Sequence, residues 1–166
     1  MRHATSRDLC QVTEAQYYPA MTECPDCGAP LPDGESCRGL FDRLLAHEYA
    51  FPEAFGAVHH LTVAAYSLQH PRGYSRDAIR MWQVIIAESL DGVSTPANFL
   101  ERARAQFSGG VRVREPGAEP PDGWPRRWPM TAADVVDTPD AATHSERVRQ
   151  WAASIRANLG RHSEQP

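Results

Sequence analysis

Lysine is absent from this 166-residue chain, and all 17 basic residues are arginine, a bias expected of GC-rich coding. A net charge of −4 leaves no basic excess of the kind a general nucleic-acid binder carries. Long apolar runs are missing too. No stretch approaches the ~20 apolar residues of a membrane span. The opening MRHATSRDLCQ lacks the apolar core of a secretory leader, so a cytoplasmic protein is expected. The chain has no GxSxG elbow, HExxH pair or dinucleotide fingerprint. Its SGG at Ser108–Gly110 lacks the lysine and the spacing of a phosphate loop. Finally, the one CxxC pair, Cys24 and Cys27, has no second pair to complete a zinc ribbon.

What is present is a third cysteine, Cys37, in CPDCGAPLPDGESCRGLF. Two thiolates spaced by two residues grip one tetrahedral ion from a tight turn. Pro25 stiffens that turn, and Gly28 leaves the backbone amides free to approach the sulfurs. In a reducing compartment such cysteines are read as thiols or metal ligands rather than disulfides. A redox CxxC would need a strand-to-helix setting, which the flanking turns do not offer. Zn2+ is the expected ion, held by Cys24, Cys27 and Cys37 and a fourth group from among Cys10, His47, His59, His60 and His70.

Helical periodicity organises the rest into a mainly α protein: an N-terminal zinc knuckle, a helical hairpin, a long Pro/Gly-rich loop and a C-terminal helix. Residues 1–23 read as an irregular arm, 24–160 as a single domain, and 161–166 as a tail. Ser36 caps a first helix with Leu40, Phe41, Leu44, Leu45 and Tyr49 at helical spacing. Pro52 opens a second, 53–70, whose stripe runs Phe55, Val58, Leu61 or Thr62, Ala65 and Leu68. Ser75 caps a third, with Ile79, Trp82, Val84, Ile85 and Ile86 apolar. Thr95 caps a fourth at Pro96, packing through Phe99, Leu100 and Phe107. Residues 108–129 form the loop, with at most one short strand at VRVR. Thr131 and Asp134 make a capping box on a short helix. The last helix, 144–160, docks through Val148, Trp151, Ile155 and Leu159.

If the first two helices form an antiparallel hairpin about Pro52, Cys37 lies level with about residue 67, beside His70. His59 is eleven residues from His70, about 16 Å along the axis, so the two cannot share one ion. His70 is therefore the favoured fourth ligand. Cys10 remains open if the arm folds back, and His59 if the hairpin crosses steeply. Three cysteines and a histidine form a closed shell, the arrangement of a structural site. With only three protein ligands, a zinc-bound water and a hydrolase or lyase become open instead.

His59, Thr62 or Val63, Tyr66 and His70 share one helix face, with Gln69 beside them. On one reading this is a satisfied polar seam, each group bonded to backbone or to a carboxylate such as Glu48. On the other it is a small pocket, with His59 as acid or base and Tyr66 as hydrogen-bond donor. WPRRWP places Arg126 and Arg127 between Trp124 and Trp128, which suits a tryptophan-anchored loop; a phosphate or base contact is the competing use. A protein partner or small-molecule ligand is expected, but nothing names it.

The CPDCG turn, the lone Cys37 opening a helix and the segment HHLTVAAYSLQHP resemble a bacterial family with a domain of unknown function. Its pattern runs CPxCG, then a cysteine, then H-x-L-T-V-D-x-Y-x-x-Q-H-P. The likeness covers about residues 24 to 155, through WPMTAADVV and HSERVRQWA. It implies that the cysteines belong with His59 and His70, and it leaves Cys10 outside. Ala64 stands where the family pattern has an aspartate, so a role for that carboxylate is lost here.

Overall fold

The computed structural model describes residues 21–95, 97–99, 101, 104 and 113–163. Cys10, Pro96, Leu100, Phe107 and most of the expected arm lie outside them. Two three-residue strands, β1 (Met21–Glu23) and β2 (Pro30–Pro32), pair antiparallel with Thr22 opposite Leu31. The expected irregular arm thus ends in a strand. Helices α1 (Cys37–Ala50), α2 (Pro52–Phe55), α3 (His59–Gln69) and α4 (Arg76–Leu90) come next. Further along lie a 3-10 turn at Ala132–Asp134 and the long helix α5 (Ala141–Ser163). The fold is mainly helical, as expected. Among the described residues no helix is long and apolar enough to cross a membrane.

The caps agree with the sequence. Ser36 accepts the Gly39 amide at 3.0 Å, and Ser75 accepts the Ala78 amide at 3.1 Å. Thr95 accepts from Asn98, and the Thr131–Asp134 capping box forms in full. Removing one N-cap oxygen costs about 1 kcal/mol. Ser36→Ala is therefore expected to lower the melting temperature by about 2–4 °C, measured by calorimetry.

Two expectations about the elements need correction. The second helix is not continuous: Gly56–Val58 tighten into a 3-10 turn between α2 and α3. Glycine and β-branched valine are poor helix formers, and the tighter turn shifts the phase of α3 relative to α2. The apolar stripe is nonetheless buried, from Phe55 through Leu68. The last helix begins at Ala141 rather than at His144, with Asp140 accepting the Thr143 amide, and continues to Ser163. Of VRVR, residues 111 and 112 lie outside the described residues, and Arg114 makes an isolated bridge with Tyr74, within the expectation of at most one short strand.

Helix α3 lies at the centre, packed against α1, α4 and α5. It is buried on nearly every side, so its polar groups need partners. Gln69 donates to the Met130 carbonyl at 2.7 Å and accepts the Trp151 indole N–H at 3.2 Å. Ser67 donates to the Tyr74 hydroxyl. Trp151, Val148 and Ile155 of α5 are fully buried, as the stripe predicted.

The hairpin of α1 and α3 has a simple register. Cys37 faces the His70 end, Phe41 stacks on Tyr66 with centroids 3.9 Å apart, and Glu48 meets His59 at 2.7 Å. Each step down α1 is matched by an equal step back along α3. Tyr49, expected in the core, is 70% exposed. The stripe from Leu44 advances four residues to Glu48, which takes the buried place instead. Val84 also points outward.

Candidate metal centre

The Cys24–Gly28 turn closes at the tip of the β1–β2 hairpin. The Gly28 amide donates to the Cys24 carbonyl at 2.8 Å, and the Cys24 amide to the Ala29 carbonyl at 2.9 Å. Gly28 takes a φ of 74°, a conformation that disfavours side chains. A Cβ there would also stand 3.0 Å from Arg127 Cγ and 3.3 Å from the Arg126 carbonyl. Glycine is needed both for the turn and for what lies over it.

Cys37 is the first residue of α1, so Ser36 sets its position through the cap. His70 ends α3. Pro71 biases the preceding residue out of the helical region, and His70 takes φ −128°, ψ 63°. Its Nδ1 donates to the Tyr66 carbonyl at 3.0 Å, which leaves the Nε2 lone pair facing the cysteines. Tyr66 stacks on the same ring at 4.1 Å. The imidazole is thus fixed in tautomer and plane before any ligand arrives.

The ligand atoms of Cys24, Cys27, Cys37 and His70 all lie within 4.8 Å of one another. Cys24 Sγ is 3.5 Å from His70 Nε2, and Cys27 Sγ is 3.4 Å from Cys37 Sγ. A tetrahedral zinc with Zn–S of about 2.3 Å sets its sulfurs roughly 3.8 Å apart and a nitrogen slightly closer. The donor set is the right size for such an ion. The three cysteines are buried and none is in a disulfide.

Their protons are shared. A hydrogen bond from Cys37 brings the Cys27 thiol down to about 4 against the effect of burial, with help from His70. Cys37 is driven up in turn, by holding that proton and by burial. Burial also pushes Cys24 up, partly offset by the backbone amides of its own turn. Charge on Cys27 thus discourages charge on the two sulfurs beside it.

The other candidates lie elsewhere. His60 bonds Ser89 Oγ at 2.9 Å and stacks on Phe99, and burial brings it down to about 4, so it is a neutral tie between α3 and α4. His47 packs on Phe55. His59 pairs with Glu48 at the opposite end of α3 from His70, about 16 Å along the axis. Tyr66 is buried between Phe41 and His70, and burial raises its hydroxyl pKa. Ala64 is fully buried, where an aspartate would need partners of its own.

Sequence reasoning missed His144. It is buried on α5 and bonds Glu48 Oε1 at 3.0 Å, while its other nitrogen meets Thr138 Oγ1 at 3.1 Å. Thr62 donates to the same Glu48 oxygen at 2.5 Å. Burial pushes Glu48 up, but the hydrogen bonds from His144, His59 and Thr62 outweigh it and hold the carboxyl below its ordinary value. Glu48 thus gathers His59 and Thr62 of the polar seam on α3 together with His144 of α5. The one advance signal was a glutamate on a core stripe.

WPRRWP straps the knuckle to α3. The Trp124 indole donates to the Leu68 carbonyl at 2.8 Å, and Trp128 is buried with its amide on the Cys27 carbonyl. Arg127 forks onto both oxygens of Glu23 at 2.6 and 3.2 Å. Arg72, two residues after His70, bridges Asp26 of the knuckle and Glu119. Beside this strap lies a cleft of about 400 Å³ lined by Asp26, Arg72, Trp124 and Arg126.

A family model described as a family of unknown function (DUF5946) matches residues 22–160. No curated protein and no solved structure gives a match.

Proposed function

The chain belongs to this family of unknown function, and we propose that it is a zinc-binding module whose metal is structural. The observation that carries the reading is the convergence of four ligand atoms, three sulfurs and one imidazole nitrogen, within 4.8 Å. Three thiolates this close would repel one another, and a divalent cation among them would cancel that repulsion and let the raised thiols of Cys24 and Cys37 ionise. Soft sulfur donors favour zinc over the harder magnesium or calcium. A shell of four protein ligands keeps no open position for water. The ion would clamp the β1–β2 knuckle to the paired ends of α1 and α3.

On this reading the protein acts by binding, as an accessory module. The 400 Å³ cleft beside the knuckle, with Arg126 and the Trp124 ring on its wall, is the place for a small ligand or a partner side chain. Reduced thiolate ligands suit the cytoplasm. Elemental analysis of the purified protein is expected to give about one zinc per chain, with X-ray absorption fitted by three sulfurs and one nitrogen. A metal-free preparation that folds normally would overturn the proposal. A shell containing a bound oxygen would favour a hydrolase or lyase instead.

A further inference from the structure

The opposite end of the hairpin holds a second constellation. We propose that His59, oriented by Glu48 and flanked by Tyr49, is an acid–base site, separate from the metal centre, that moves a proton at an oxygen atom during hydrolysis of an ester with an aromatic group.

The geometry fixes the proton. Glu48 is only 1% exposed, and it is held as a carboxylate by the groups around it. An ionised carboxylate only accepts hydrogen bonds, so each histidine nitrogen facing it carries a proton. His59 therefore donates Nδ1–H to Glu48 Oε2 at 2.7 Å and presents the Nε2 lone pair away from the core. The His59 side chain is 31% exposed, and the Tyr49 hydroxyl stands 3.4 Å from Nε2. His144 and Thr62 already serve the other carboxylate oxygen from inside. They would suffice to hold Glu48. What a purely structural network does not use is a lone pair at the surface, aimed by a buried carboxylate. That pairing is how a general base is positioned and how its imidazolium is stabilised.

Tyr49 supplies the substrate side. Its ring tilts over the His59 ring at 5.0 Å and is otherwise open to solvent, so it offers a face to another flat group. Its hydroxyl can turn from Nε2 to a carbonyl oxygen. A water at Nε2 gives its proton to that nitrogen as its oxygen bonds to the acyl carbon. The proton then passes to the departing alkoxide or aryloxide oxygen as the ester C–O bond breaks. Water is the only co-reactant, and nothing is oxidised or reduced.

The test uses 4-nitrophenyl acetate and the full-length, metal-loaded protein. Hydrolysis above the buffer rate is expected. The other titratable groups about the site are Glu48, His47 and Tyr49 from α1, His60 from α3 and His144 from α5. His59→Gln should lower the rate at least tenfold, and Tyr49→Phe several-fold in kcat. Glu48→Gln should lower kcat more than it changes KM, and Glu48→Asp should restore kcat in part. Should the Glu48 variants fail to fold, nitrogen-15 NMR of the native histidines decides: His59 is expected with its proton on Nδ1. A folded His59→Gln protein with the native rate, or a neutral His59 with its proton on Nε2, would overturn the proposal. Zinc content should be the same in native and His59→Gln proteins, so failure here leaves the metal reading standing.

Discussion

Cys37→Ser is expected to release the metal and to lower the melting temperature by more than 10 °C. Serine is a good neighbour for the Ser36 cap and keeps the start of α1 intact, so the loss reports on the sulfur alone. Structural zinc sites contribute about 10–16 kcal/mol of apparent binding energy, all of it available only to the folded chain. Losing one of four ligands forfeits a large part of this. A loss of about 5 kcal/mol corresponds to roughly 10–20 °C in a chain of this size. His70→Ala should act likewise, since its Nε2 faces the same cluster. Chelation of the native protein should reproduce both. Hydrogen exchange should then show the knuckle and strap opening first, while α4 and α5 stay protected against α3. Full zinc content and an unchanged melt in Cys37→Ser would sink the structural reading of the site.

Glu48→Gln is expected to cost about 3–5 kcal/mol, the range for removing one partner of a buried ionic network. Its carboxylate accepts from three side chains carried by α3 and α5, so no neutral isostere serves all of them. The glutamine amide would turn a donor toward donors. In melting temperature this is about 10 °C. The pH dependence has a definite sign. The folded-state pKa of Glu48 lies below its ordinary value. Its contribution is therefore present above the usual glutamate range near ~4.3 and is lost as pH falls through the lower, folded value. Melts from neutrality down to about pH 3 should show the native advantage over Glu48→Gln shrinking only below that range. A gap that stays constant throughout would mean that the carboxylate charge contributes nothing.

The four residues of the cluster were legible because two simple rules converge on them. CxxC places two sulfurs in one turn, and hairpin register brings the end of one helix to the start of the next. The register was offset by three residues: residue 67 was expected level with Cys37, whereas His70 itself comes there. The 3-10 turn at Gly56–Val58, which periodicity alone does not reveal, re-phases the second helix. The β1–β2 hairpin was invisible for another reason. Its strands are three residues long, and β2 has proline at both ends. Such segments carry no alternation, and the knuckle's own hydrogen bonds hold them together. Tyr49 was misplaced because an aromatic at helical spacing outbids a neighbouring glutamate on any hydrophobicity argument. What makes that glutamate tolerable in the core is a set of partners on other helices, including the distant His144, 96 residues along the chain.

The strap over the knuckle has a bearing on how the chain is made. Arg127 and Glu23 are 104 residues apart, yet they close one lid over the cysteine turn. A ribosome adding ~5–20 residues per second needs roughly 5–20 s to produce that interval. Throughout it the cysteine turn has emerged while its cover has not. If the cluster takes a metal as proposed, synthesis would give the nascent chain a loading window for it. Arrival of WPRRWP ends the window, turning an accessible turn into an enclosed one.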